Sequence, residues 1–191
     1  GLLVFKGKNF TVQLDKNTGL IFSLTYGNQT VIANGNGPKL DAYRAPVCND
    51  NWTDYKWFQY GLHNLKHKVV GMNKFEKAEK GEWVVSFTVE SQAPCGARND
   101  YSNKDRNADK TYTVVENTNQ PFGADDFKFT TNQIWTIYPD GSIELQSAIA
   151  SNKPGTDLAR LGYTMKLPVE YSNFDYYGRG PIDNYADRKV G

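Results

Sequence analysis

The sequence predicts an all-β protein, a two-layer sandwich of antiparallel sheets formed by one domain over residues 1–191. Three observations predict it. Apolar residues alternate with polar ones at period two in several separate runs. Turn-forming clusters punctuate those runs. Helical spacing is confined to one short stretch. At 191 residues the chain is long enough for one well-buried core and short for two.

The elements follow in order. Phe10, Val12 and Leu14 alternate with Thr11, Gln13 and Asp15, a strand with one buried face. Asn17-Thr18-Gly19 and Tyr26-Gly27-Asn28 are turns on either side of a second strand. Residues 53–65 carry Trp57, Phe58, Gly61, Leu62 and Leu65 at mixed spacings of three and four, predicting a short helix that plugs one end of the sandwich. Val85, Phe87 and Val89 alternate with Ser86, Thr88 and Glu90. Residues 93–110 are almost devoid of apolar side chains, so 93–127 reads as an insertion: a surface loop with a short hairpin over 111–116. After the turn Pro139-Asp140-Gly141-Ser142, Ile143, Leu145 and Ile149 share a face with Ser147, while Glu144 and Gln146 point away. Leu161, Tyr163, Met165 and Leu167 repeat the pattern against Gly162, Thr164 and Lys166. Polar outer faces on strands this regular argue two antiparallel sheets rather than a parallel one.

Composition excludes several function classes. With 22 basic and 21 acidic residues the net charge is +1, which gives no electrostatic case for nucleic acid or an anionic membrane. No apolar run approaches the ~20 residues a membrane helix needs. Gly1-Leu2-Leu3-Val4-Phe5 enters strand-like sequence at once without a starting Met, as expected of a piece of a longer polypeptide. Cys48 and Cys95 form no CxxC pattern and read as two unpaired thiols, with a single disulfide as the other option. Sequons at Asn9, Asn28 and Asn51 are as common as chance gives in a chain this rich in Asn and Thr, and carry no weight.

Catalytic machinery is not legible. Glu82, Glu90 and Glu144 alternate with core residues and should be solvated. His63 and His67 lie four apart, which would place both on one helical face, but no third ligand stands nearby; solvated surface histidines are the expectation, and no metal site. Phosphate loops, dinucleotide fingerprints and nucleophile elbows are absent from the sequence, and no cofactor is expected.

Residues 176–188, YYGRGPIDNYADR, are the most distinctive stretch. Gly178 and Gly180 followed by Pro181 force a sharp turn, and planar polar groups follow it. A second polar segment, RAPVCND, occupies residues 44–50. Together they assemble Arg44, Asn49, Asp50, Arg179, Asp183, Asn184, Tyr185, Asp187 and Arg188. Such groups beside aromatics suit the reading of sugar hydroxyls. They suit equally well a structural or interdomain role, because buried charges persist only when paired. Arg188 is expected to be buried and paired with a carboxylate, Asp183 or Asp50.

The 176–188 stretch resembles the pattern aromatic-x-G-x-G-P-x-E-N-Y-x-D-R of the C-terminal (fifth, small-chain) domain of lac-type family 2 β-galactosidases. RAPVCND resembles that domain's R-A-P-x-D-N-D segment, and KNFTVQLDKNTGLIFSLTYGNQ fits its opening strands. Asp183 stands where the family usually has Glu, Ala186 where it has Pro, and Cys48 where Asp is common. The resemblance implies a galactose-mutarotase-like supersandwich packed against a catalytic barrel and forming one wall of its cleft. Both catalytic glutamates would then lie on the barrel, so no catalytic residue is expected here and the isolated chain should be inactive. The family's substrate-contacting aromatic lies downstream of the matched stretch, which implies a domain truncated at its C-terminus, with open edges and a tendency to self-associate.

The expected partners are the parent's remaining domains and carbohydrate, and the parent's expected compartment is the bacterial cytoplasm or periplasm. Two other functions stay open. A stand-alone carbohydrate-binding module would need exposed coplanar aromatics, whereas Trp52, Trp57, Trp83 and Trp135 sit mostly at core positions. A mutarotase-like epimerase would need His63 or His67 beside a Glu such as Glu170.

Overall fold

Alternation becomes sheet in the order the sequence suggests. A computed structural model describes residues 1–50, 53–96, 121–173 and 175. Strands β1 (Leu2–Lys6), β2 (Phe10–Asp15), β3 (Ile21–Tyr26) and β4 (Gln29–Ile32) form one antiparallel sheet in chain order. Next come β5 (Lys39–Asp41), a 3₁₀ turn (Cys48–Asp50), helix α1 (Asp54–Gln59) and a second 3₁₀ turn (Leu62–Asn64). The second four-stranded sheet runs β6 (Lys66–Lys77), β7 (Trp83–Gln92), β8 (Phe129–Ile137) and β9 (Ile143–Ser151), again antiparallel neighbours in order. Last, β10 (Gly162–Thr164) pairs with β5 as a short ladder.

The two large sheets face each other. Phe5, Phe10, Val12, Leu14, Ile21 and Leu24 of the first bury against Val85, Phe87, Val89, Trp135 and Ile137 of the second. Each of those residues removes its apolar surface from water, about 25 cal/mol for every Å². The β2–β3 turn fastens the layers. Asp15 accepts the Asn17 N–H at 2.8 Å and the Thr18 hydroxyl at 3.2 Å, which bends the chain into Gly19. Gly19 has φ +72°, and a Cβ there would stand 2.9 Å from a Val89 methyl. The Trp135 indole N–H donates across to the Gly19 carbonyl at 3.0 Å. At the opposite end the Tyr26 hydroxyl donates to the Gly141 carbonyl at 2.7 Å, reaching the turn between β8 and β9.

A second, smaller core lies beyond the sandwich: Leu40, Ala42, Trp57, Leu62, Phe127 and Phe129. The helix expected over residues 53–65 is present but short. It stops at Tyr60, because Gly61 adopts a left-handed φ of 66°. A side chain at Gly61 would collide with Ala93, since its Cβ would come within 2.3 Å.

Two expectations need correction or limits. Of the run Leu161, Tyr163, Met165 and Leu167, only 162–164 is strand, and Leu161, Met165 and Leu167 are exposed rather than buried. The alternation is real, but β10 pairs with a three-residue partner and has no large sheet opposite to cover it. Residues 97–120, with the hairpin expected over 111–116, lie outside the described residues. At the borders of the 93–127 segment, Ala93 and Phe127 are buried, and Cys95 bridges Pro121. Among the described residues no helix is long and apolar enough to cross a membrane.

Candidate functional site

The RAPVCND segment leaves β5 and closes into its 3₁₀ turn over a single carboxylate. Asp50 is 8% exposed. Its Oδ2 accepts from Arg44 Nη1 at 2.5 Å and from the Val47 N–H at 2.7 Å, while Oδ1 accepts from Arg44 Nη2 at 2.9 Å. Backbone bonds extend the knot: the Asp50 N–H donates to the Val47 carbonyl, and the Thr53 N–H to the Asp50 carbonyl, both at 2.8 Å. The Arg44 hydrogen bonds, then the Val47 N–H, hold the Asp50 carboxyl below the usual carboxylate range against the opposing push of burial. A planar fork gripping both oxygens is the geometry for which Arg, and not Lys, is suited. The guanidinium also lies 5.4 Å from the centre of the Trp57 ring, tying the knot to the second core.

This anchor supports an exposed apex. Ala45, Pro46, Val47, Cys48 and Asn49 all face solvent. Of the sequence-predicted site residues, Arg44 and Asp50 therefore grip each other and Asn49 stands at the tip. Arg179, Asp183, Asn184, Tyr185, Asp187 and Arg188 lie outside the described residues, as do the Gly178–Gly180 turn and the pairing expected of Arg188.

A second anchor escaped sequence reasoning. Asp41, at the end of β5, accepts the Tyr43 N–H at 3.0 Å through Oδ1 and Arg160 Nη2 at 2.8 Å through Oδ2. Nothing local signals a partner 119 residues away. Trp57 adds a third tie, its indole N–H donating to the Asp157 carbonyl at 3.2 Å.

Beside the apex, Tyr43, Phe58 and His63 pack ring to ring, with centroids 5.0–6.0 Å apart and planes inclined by 51–66°. Such tilted rings give each other edge-to-face contacts and offer no coplanar platform for a sugar face. Trp57 and Trp135 are buried. Burial first, and the Asp54 charge second, raise the Tyr43 phenol above its ordinary value.

The histidines do not share a helical face. His63 sits on the 3₁₀ turn and is exposed, in line with expectation, whereas His67 lies on β6. The solvated His67 expected from sequence is corrected: it is half-buried, with Nδ1 2.9 Å from the Ser91 hydroxyl. Burial, then the charges of Lys39 and Lys66, depress its pKa to about 4 despite Asp41. Gly61 was the available signal, since a glycine after a short apolar helical run marks its end. Glu170 is exposed and is not among the charges acting on His67. Glu90 takes an ion pair from Lys128 at 2.8 Å, and Glu144 accepts from the Tyr138 hydroxyl at 2.8 Å. Among the described residues no group of three His, Cys, Asp or Glu side chains could hold a metal ion. Cys48 is an exposed free thiol and Cys95 a half-buried one.

Comparison with known proteins agrees with the motifs. Residues 6–191 match the family model described as beta galactosidase small chain. The chain is 38% identical over 190 residues to a β-galactosidase of Halalkalibacterium halodurans, covering 97% of this chain and 15% of that one. Against the β-galactosidase of Priestia megaterium it is 24% identical, covering 99% and 15% respectively. Against that of Kluyveromyces lactis it is 26% identical, covering 92% and 14%. The chain thus spans about one seventh of the length of these relatives. It belongs to the β-galactosidase small-chain family.

Proposed function

Starting from a β-galactosidase small-chain domain, we propose that the chain serves a parent enzyme that hydrolyses terminal β-galactosides. It contributes no catalytic carboxylate, packs against the catalytic portion, and forms one wall of the carbohydrate cleft with its RAPVCND apex. One observation carries this reading. The apex is apolar and polar by turns, exposed, and rigidly held from below by a carboxylate whose oxygens are both engaged. A loop built only for its own stability would not need to present Val47 at 57% exposure beside Asn49. Rigid support beneath an exposed contact surface is what a docking or substrate-facing element requires.

In the complete enzyme, Val47→Asp and Asn49→Ala should lower kcat/KM for a chromogenic galactoside, by roughly tenfold for the charge insertion. The isolated chain carrying either change should melt as the parent chain does. Unchanged kinetics for both variants would remove the apex from the cleft and from the docking surface. The isolated chain should show no turnover of chromogenic galactosides at high protein concentration, since hydrolysis needs a facing carboxylate pair. A stand-alone carbohydrate-binding module is the weaker reading, because the exposed rings beside the apex are mutually tilted rather than coplanar.

A further inference from the structure

The two edges of the second sheet are built differently. β6 runs twelve residues and shifts register twice against β7, at Val70 and again at Asn73. It also carries Lys66, Lys68, Lys74 and Lys77. Bulges and lysines are the usual guards of an edge that must not take up another strand. β9 has none of these. It pairs with β8 through nine consecutive residues, from Ile143 opposite Ile137 to Ser151 opposite Phe129, without a shift. Residues 145–151 read LQSAIAS, with no charge, proline or glycine. Gln146, Ser147 and Ala148 are exposed at mid-strand. Among the described residues β8 is its sole ladder neighbour, so alternate N–H and C=O groups point away from the sheet.

A cavity of about 220 Å³ adjoins the same strand. Ile149, Phe127, Phe129, Leu158 and Leu161 line it, with Leu161 itself 49% exposed. A strand laid along β9 would place alternate side chains on the Ile149 face, at the mouth of this cavity, and the others beside Gln146 and Ala148. The fitting partner is therefore an extended segment, apolar on one face and polar on the other.

We propose that the outer edge of β9 receives such a segment from the remainder of the β-galactosidase polypeptide, as a fifth strand with an apolar side chain seated in the cavity. The proposal rests on the family reading above. The occupant is drawn from the same polypeptide because the relatives carry about six sevenths of their length outside the matched stretch. A tethered segment acts at millimolar effective concentration, far above what a second copy would reach. Backbone bonds along the edge would supply affinity, and the cavity side chain the register.

Hydrogen–deuterium exchange, read by mass spectrometry on the 191-residue chain and on the complete enzyme, tests it. In the isolated chain the outward amides of β9 should exchange quickly and those facing β8 slowly. In the complete enzyme the outward amides should slow at least tenfold, while β6 exchanges alike in both. Unchanged β9 exchange alongside new protection at residues 45–49 would overturn the edge proposal and leave the docking reading standing. No new protection anywhere would overturn both. Slow outward amides in the dilute isolated chain would mean that its own residues already cover the edge. Protection that grows with concentration of the isolated chain would identify a second copy as the occupant. Either result overturns the proposal.

Discussion

The two cores of this domain are held by different physics. The sandwich core joins Val12, Leu14, Phe87 and Val89 through side chains that are fully buried and apolar. The second core packs Trp57, Leu62, Phe127 and Phe129, but its outer ties are polar: Arg44 on Asp50, Arg160 on Asp41, His67 on Ser91. Strands can present an apolar face to one another over their whole length. Loops and single turns cannot, so the region carrying the apex depends on a few charged groups in fixed positions. It follows that the sandwich should respond to loss of volume, and the apex region to pH and charge.

The largest expected effect is in the sandwich. Phe87→Ala deletes a fully buried ring at the contact of the two sheets and should cost roughly 3–5 kcal/mol, measured by urea unfolding. A loss below about 1 kcal/mol would mean that the layers repack freely and that the apolar core is not the dominant tie. Next in size is the acid response of the second core. His67 titrates near 4 in the folded chain and near 6.5 when unfolded, so between those values the unfolded state binds more protons. Its contribution to stability is complete above pH 6.5 and is lost as pH falls through the folded value near 4. Allowing for screening at a half-buried ring, that loss amounts to roughly 2–3 kcal/mol. His67→Gln should flatten this part of a Tm-against-pH curve between pH 7 and 4. An equally steep curve in the variant would assign the acid response elsewhere.

Asp50 should give a smaller and different signature. Asp50→Asn keeps the shape but halves the grip on the Arg44 fork, so Tm should fall by several degrees and the fall should shrink in acid. The sign follows from the depressed carboxyl: its stabilisation is present above the unfolded carboxylate pKa and is lost as pH drops through the lower folded value. An Asp50→Asn chain with the parent Tm at pH 7 would show that the knot beneath the apex bears no stability.

What could be read from sequence divides along the same line. The strands over residues 10–14, 85–89 and 143–149 were legible because each faces a partner sheet for its full length, and burial then imprints period two on the sequence. The same alternation at Leu161, Met165 and Leu167 misled, since no described sheet stands opposite. The bulges of β6 left no local mark, and they decide which edge is guarded. Residue types in RAPVCND announced an Arg–carboxylate pair, but not that Asp50 would take its own neighbour six positions back. Asp41 and Arg160, being distant in sequence, announced nothing. Polar ties are single events without a period, and only the fold reveals their partners.

The smallest effect tests whether charge alone makes a tie important. Lys128 and Glu90 form an ion pair at 2.8 Å on the second sheet, a distance comparable to that between Arg44 and Asp50. The setting differs. Both side chains are partly exposed, the pair has one contact rather than a fork, and water can replace either partner. Exposed pairs of this kind are worth about 0–1 kcal/mol and weaken with salt. Glu90→Gln should therefore move the urea midpoint little, and what shift there is should vanish at high salt. The Asp50→Asn shift, at a carboxylate largely removed from solvent, should survive the same salt. If instead Glu90→Gln proved as damaging as Asp50→Asn, and equally resistant to salt, the contrast between a sandwich held by volume and an apex held by placed charges would fail.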